Sequence, residues 1–447
     1  MVTPPPSAPP NPSAPAGGRR TRCRARPIDP RSPRPSELLR VFFAAGLVSI
    51  AAAALAGVLY AVSGHPWLHW LALHLVFLGG VSQLVLGAGQ FFTCAFLATD
   101  PPPRMLVRAQ IGVWNGGTVL VAVGVPTRSA PLVELGAALI GAGLVLFAAA
   151  LARMNRRSLQ RAPWALRWYQ ASAVCLGVGA LLGVLMATGA AWTRGSLLGA
   201  HLAFNLGGWV GTAIVGTLHT FFPSLTQTQL PRPRLQRPTY ALWLIGVVAL
   251  AGGMAFGVVA TVVLGWVGLM LAASLMAVNL GGCLRGAPVT VALPARLLAF
   301  AHVFLIAGLV VALETTALHG IGAPFTGRTR TTVATLLLAG WLGLTVTGSL
   351  LHLLAILGRI RSFARPVPAA NLRRDRALAV AAALAVIALS VVRATGARTL
   401  VLPAAALLLA VAAFLGVRVL ALAIGALVRQ AHIGRPKPHV GGSFFKV

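Results

Sequence analysis

The sequence has almost no acid. Six Asp and Glu stand against 37 Lys and Arg in 447 residues, and charged residues of both signs make up only 10%. A water-soluble domain covers its surface with roughly a quarter charged residues, so this composition excludes a soluble enzyme. A disordered chain is excluded as well, because 57% of the residues are hydrophobic and the mean hydropathy is +0.84. Cysteine is sparse too. Cys23, Cys94, Cys175 and Cys283 have no CxxC spacing and no evident pairing partner, so they read as reduced, structural thiols. Absent also are a Walker loop, an HExxH helix, a GxSxG elbow and any pair of neighbouring carboxylates. The usual phosphate, zinc-protease and serine-hydrolase chemistries therefore have no sequence basis here.

What the chain does have is long apolar runs punctuated by arginine. Twelve such runs are expected to cross a bilayer, at 38–62, 71–97, 105–125, 131–152, 166–190, 196–222, 240–260, 262–284, 296–319, 331–357, 377–395 and 400–428. Each is near the ~20 residues that a membrane crossing needs. The fold class expected is therefore all-α: a polytopic membrane bundle of twelve transmembrane helices. Residues 1–37 form a Pro- and Arg-rich cytoplasmic tail, residues 38–429 the transmembrane domain, and residues 430–447 a short cytoplasmic tail. The first tail carries Pro4–Pro6 and the Arg19–Arg26 cluster, which lacks a signal-peptide core.

The net charge of +31 resembles a nucleic-acid signal. The basic clusters have no interleaved aromatics and no known reader motif, so no nucleic-acid partner is expected. They instead obey the positive-inside rule. With both termini cytoplasmic, 31 of the 37 Lys and Arg fall inside and only Arg128, Arg194, Arg328, Arg330, Arg393 and Arg398 fall outside. The expected location is a bacterial cytoplasmic membrane, consistent with Ala-rich, Arg-over-Lys usage.

The chain also repeats itself. His74 opens HLVFLGGVSQLVLGAGQFF in the second run and His201 opens HLAFNLGGWVGTAIVGTLHTFF in the sixth. Gly208-Trp209-x-Gly211 recurs in the tenth as Gly340-Trp341-x-Gly343. Runs 2, 6 and 10 are thus expected to be equivalent, making three pseudo-repeats of four helices.

Ionisable residues inside a membrane usually face the bundle interior and serve function. The alternating topology sorts them by depth. An outer layer holds His74 and His201, with Glu314 and His319 as a possible proton relay and Asn205 beside His201. An inner layer holds His219, His302 and His352. His201 and His219 are 18 residues apart, five helical turns or ~27 Å along one helix face. Asn205, Gly208, Thr212 and Gly216 lie on the same stripe, where small residues admit a neighbouring helix or a flat cofactor. Neutral imidazoles from different helices at one depth are how a bundle builds a haem or transition-metal site. The plain alternative is that each makes an interhelical hydrogen bond. His65 and His69, in a loop, and His432 and His439, in the tail, carry no such expectation.

Twelve helices, a threefold repeat and His in runs 2 and 6 resemble the haem–copper oxidase subunit I superfamily. The string His201-Leu-Ala-Phe-Asn205-Leu-Gly-Gly208-Trp209-Val-Gly211, followed by Thr-Phe-Phe-Pro223, looks most like two oxidase-lacking groups. These are the NnrS-type nitric-oxide-response proteins and the membrane segment joined to actinobacterial copper oxidases. The resemblance implies haem and copper as cofactors. His74 matches the haem-binding His of run 2 and His201 the copper-binding His of run 6. Run 7 lacks the usual His pair and run 10 has only His352, near the opposite end, so the usual oxygen-reducing centre cannot form. The function expected is haem or copper binding in electron transfer or in nitric oxide or copper handling, with His219, His302 and His352 as a metal set. Partners would be the lipid bilayer and a redox or copper-enzyme protein. The rival readings are a proton-coupled secondary transporter using Glu314 and His302, and an assembly partner of a copper enzyme.

Overall fold

A computed structural model of the chain describes residues 32–158, 163–359 and 371–431. Twelve helices in it are long and apolar enough to cross a membrane. They are α1 Pro35–Ser63, α2 Pro66–Leu97, α3 Arg104–Gly124, α4 Ala130–Arg157, α5 Trp164–Ala187 and α6 Leu197–Thr226. The second half comprises α7 Pro233–Phe256, α8 Val259–Arg285, α9 Leu293–His319, α10 Gly327–Gly358, α11 Leu372–Thr395 and α12 Arg398–Ala426. No strand occurs among the described residues. The protein is a multi-pass, all-helical membrane protein. Helix α1 begins at Pro35, three residues before the expected start of run 1. Residues 1–31, most of the second tail, Cys23, His432 and His439 lie outside the described residues.

Every expected run became a helix, with ends that shift by up to seven residues, as at the start of α7 (Pro233 where residue 240 was expected). Run 7 was expected to reach residue 260, but α7 stops at Phe256. Gly257 has φ +72° and donates its N–H to the Gly253 carbonyl, a left-handed cap that a side chain disfavours. Apolarity alone gives no sign of such a turn inside a hydrophobic stretch.

Helix pairs α3–α4 and α7–α8 form the tightest hairpins. A Cβ on Gly117 would lie 2.7 Å from the Gly136 carbonyl oxygen, and a Cβ on Gly265 would lie 2.5 Å from the Leu250 nitrogen. Lipid supplies no hydrophobic force between helices, so close backbone approach at small residues is what holds such pairs. α6 is the most buried span and α12 the least.

Helices α2, α6 and α10 share a feature that composition did not announce. Each contains a π-helical segment, at Leu75–Val81, Ala203–Gly211 and Thr335–Gly343 respectively. A π turn bonds i to i+5 and disturbs the carbonyls of the ladder. In hydrocarbon such groups need protein partners. In α2, Ser82 Oγ donates to the Phe77 carbonyl (2.8 Å) and Trp114 Nε1 of α3 to the Leu78 carbonyl (3.0 Å). In α6, Thr212 Oγ1 donates to the Gly207 carbonyl (3.3 Å), and so does Trp243 Nε1 of α7 (3.1 Å). Trp209 Nε1 then donates to Ser82 Oγ (2.8 Å), tying α6 to α2. In α10 the indole N–H of Trp341 has no partner among the described residues.

Trp114→Phe and Trp243→Phe keep the aromatic bulk but remove a buried indole–carbonyl hydrogen bond, at about 0.5–1.5 kcal/mol each. Thermal unfolding in detergent is expected to shift down for both, with little change for Trp67→Phe, whose side chain is exposed. Equal melting temperatures for all three would show that the indole bonds do not support the π segments.

Candidate functional site

His74 is the last residue before the π segment of α2, and His201 stands two residues before that of α6. Both line one cavity of about 500 Å³ among α2 to α6, with Leu338 of α10 also on its wall. Its size falls in the usual range for a ligand pocket. Its walls are mostly apolar, with Leu73, Phe77, Ile140, Leu176, Val184 and Leu206 among them. The polar groups that reach it are few: His74, His201, Asn205, Ser82 and the indoles of Trp70 and Trp209.

The backbone fixes the tautomer of both imidazoles. His74 Nδ1 lies 2.9 Å from the Trp70 carbonyl, and His201 Nδ1 lies 2.8 Å from the Gly179 carbonyl of α5. A carbonyl only accepts, so each Nδ1 carries the proton and each Nε2 keeps a lone pair. Neither Nε2 has a hydrogen-bond partner among the described residues. Trp70 stacks on the His74 ring at 4.0 Å between centroids. Asn205 Nδ2 donates to the His201 carbonyl at 2.7 Å, one turn back.

Helix α5 is shaped to receive His201 and Asn205. A Cβ on Gly183 would sit 3.1 Å from His201 Cε1, and one on Gly179 only 2.4 Å from Asn205 Nδ2. The stripe continues downward, with Gly208 against Cys175 and Gly216 against Trp168. The row of small residues on α6 therefore admits a neighbouring helix, α5, and not a flat cofactor. Gly179 and Gly183 were missed in the sequence, although their small-xxx-small spacing was visible.

A second pair lies at the other end of α6. His219 and His302 are 2% and 3% exposed. His219 Nδ1 is 2.8 Å from the Val215 carbonyl, and His302 Nε2 is 2.8 Å from the Ala273 carbonyl of α8. Trp168 stacks on the His219 ring at 5.6 Å. His352 is half-buried and packs edge-on against Phe221 at 5.5 Å. Among the described residues no three His, Cys, Asp or Glu side chains form a metal-ligating group. His219, His302 and His352 are thus not gathered into one three-ligand set.

Glu314 and His319 stand exposed on α9 and do not line the histidine cavity. Glu314 forms no ion pair with any described residue. The two ion pairs found, Arg104–Glu37 at 3.2 Å and Arg418–Asp375 at 3.4 Å, involve other acids. Cys94, Cys175 and Cys283 are free and buried, as expected of structural thiols. No protein-family model matches the chain, and no curated protein matches it either.

Gly179→Ala places a methyl where the Asn205 amide now lies. Overpacking of this kind costs about 1–3 kcal/mol, and here it also displaces the residue anchored to His201. Lower thermal stability than wild type is expected, while Gly177→Ala, whose added methyl meets open space, is expected to be neutral. Matching stabilities for the two variants would refute the tight fit of α5 on α6.

Proposed function

We infer that this is a haem-binding membrane protein of haem–copper-oxidase-like architecture, acting in electron transfer or in nitric oxide or copper handling. One observation carries the reading. Two imidazoles on different helices line a single large apolar cavity, each with Nδ1 tied to a carbonyl and Nε2 unpartnered. That is the donor state an axial ligand needs, and the carbonyl bond raises its basicity. His74 and His201 would hold the haem. Bound there, it would supply reversible one-electron iron chemistry.

The protein's own residues have definable parts in this. The Trp70 stack and the Asn205 bond hold the two ligand-bearing turns, and the glycines of α5 set the depth of His201. The apolar walls keep water from the ligands, a condition that tunes a redox centre. The π segments in α2, α6 and α10 fall in the three spans that the sequence repeat made equivalent, which supports a threefold architecture. The arginine distribution supports a bacterial cytoplasmic membrane with both termini on the cytoplasmic side. A redox or copper-enzyme partner follows from the same reading. The exposed position of Glu314 gives the proton-coupled transporter no comparable support.

The test is an optical spectrum of the full chain purified in detergent after expression with ample haem, oxidised and then dithionite-reduced, with metal analysis. A Soret band with sharp α and β bands on reduction is expected. It should be lost in His74→Ala and in His201→Ala and kept in His65→Ala, an exposed position. A haem spectrum unaffected by both cavity variants, or none in wild type, would overturn the assignment.

A further inference from the structure

A second cavity lies beyond the π segments, on the side away from His74 and His201. It has a volume of about 90 Å³ and is lined by residues of α1, α2, α5, α6 and α10. None of these residues is exposed, so the cavity lies inside the bundle and not on its lipid-facing surface. Ser82 and Trp209 line the histidine cavity, whereas Val81 and Ala213, one residue and one turn away, line this one. The Trp209–Ser82 hydrogen bond therefore stands at the partition between the two.

Protein interiors are close-packed, and voids larger than a water are few. This one has room for about three waters by volume, and small side chains keep it open. Ala88 of α2, Ala213 of α6 and Ser349 of α10 face it from three helices, where a larger apolar residue would close it. Water does not suit it, because a buried water needs two to four polar partners. Tyr169 Oη donates to Thr217 Oγ1 (2.7 Å), which in turn donates to the Ala213 carbonyl (2.7 Å), so this pair is already satisfied. The hydroxyls of Thr345 and Ser349 stand one turn apart on a single helix, and each can turn back on the carbonyl four residues earlier. No charged side chain lines the cavity among the described residues, which excludes an ion. Benzene occupies a dry apolar cavity of ~150 Å³, so an aromatic ring is too large. We propose that this cavity binds a small uncharged apolar molecule, in the size range from a dissolved gas to a short alkane. The site does not depend on the haem reading.

The test uses crystals of the intact chain pressurised with xenon, whose anomalous scattering locates it. A xenon peak between α2, α6 and α10, in contact with Ala88 and Ala213, is expected in wild type. It should be lost in Ala88→Leu, with a melting temperature in detergent at or above that of wild type, because the added side chain fills the space. Ser349→Leu serves where that variant is not monodisperse. No peak at this place in wild type would overturn the proposal, and so would ordered water density filling it under xenon. A peak unchanged in both filled variants would do the same. Xenon needs no haem, so the result stands apart from the optical spectrum, and failure of one reading leaves the other intact.

Discussion

Hydrocarbon offers a polypeptide no hydrogen bonds, and this constraint governs the structure from backbone to site. An α-helix satisfies itself, but three of these helices depart from the α ladder in mid-membrane. Each departure raises a local demand for donors. The indoles of Trp114 and Trp243 meet it from the next helix, and Ser82 and Thr212 meet it from within. The same shortage of partners sets the chemistry of the histidines. With no water to turn to, each imidazole N–H finds a backbone carbonyl, and its second nitrogen is left with a lone pair.

Helix α6 joins these facts. It carries His201 at one end and His219 at the other, with a π segment between them. Its row of small residues is filled by α5, which supplies the carbonyl for His201 and the stacking ring for His219. Helix α5 thereby positions His201 and His219 without contributing a histidine of its own. His74 reaches the same cavity because α2 is bound to α6 through Trp209 and Ser82.

Much of this was legible before any coordinates. Hydropathy located all twelve spans, because a membrane crossing needs a length of apolar residues that few other structures require. Depth sorting grouped His74 with His201, and the two line one cavity. His352, grouped by depth with His219 and His302, has Phe221 as its ring neighbour. Depth is one coordinate, and rotation about the helix axis is another that a single sequence reads poorly. For the same reason Glu314 was expected to face the interior and stands exposed. The π segments were invisible, because they depend on bonds from Trp residues on other helices.

The hairpin of α7 and α8 bears on how the chain enters a membrane. Only Gly257 and Val258 separate the two spans, and neither is charged. The two helices touch backbone to backbone through Gly246 and Gly265. A connection that short cannot hold one helix across a bilayer while the next waits outside. The two spans are therefore bound to lie side by side and antiparallel, as one hairpin.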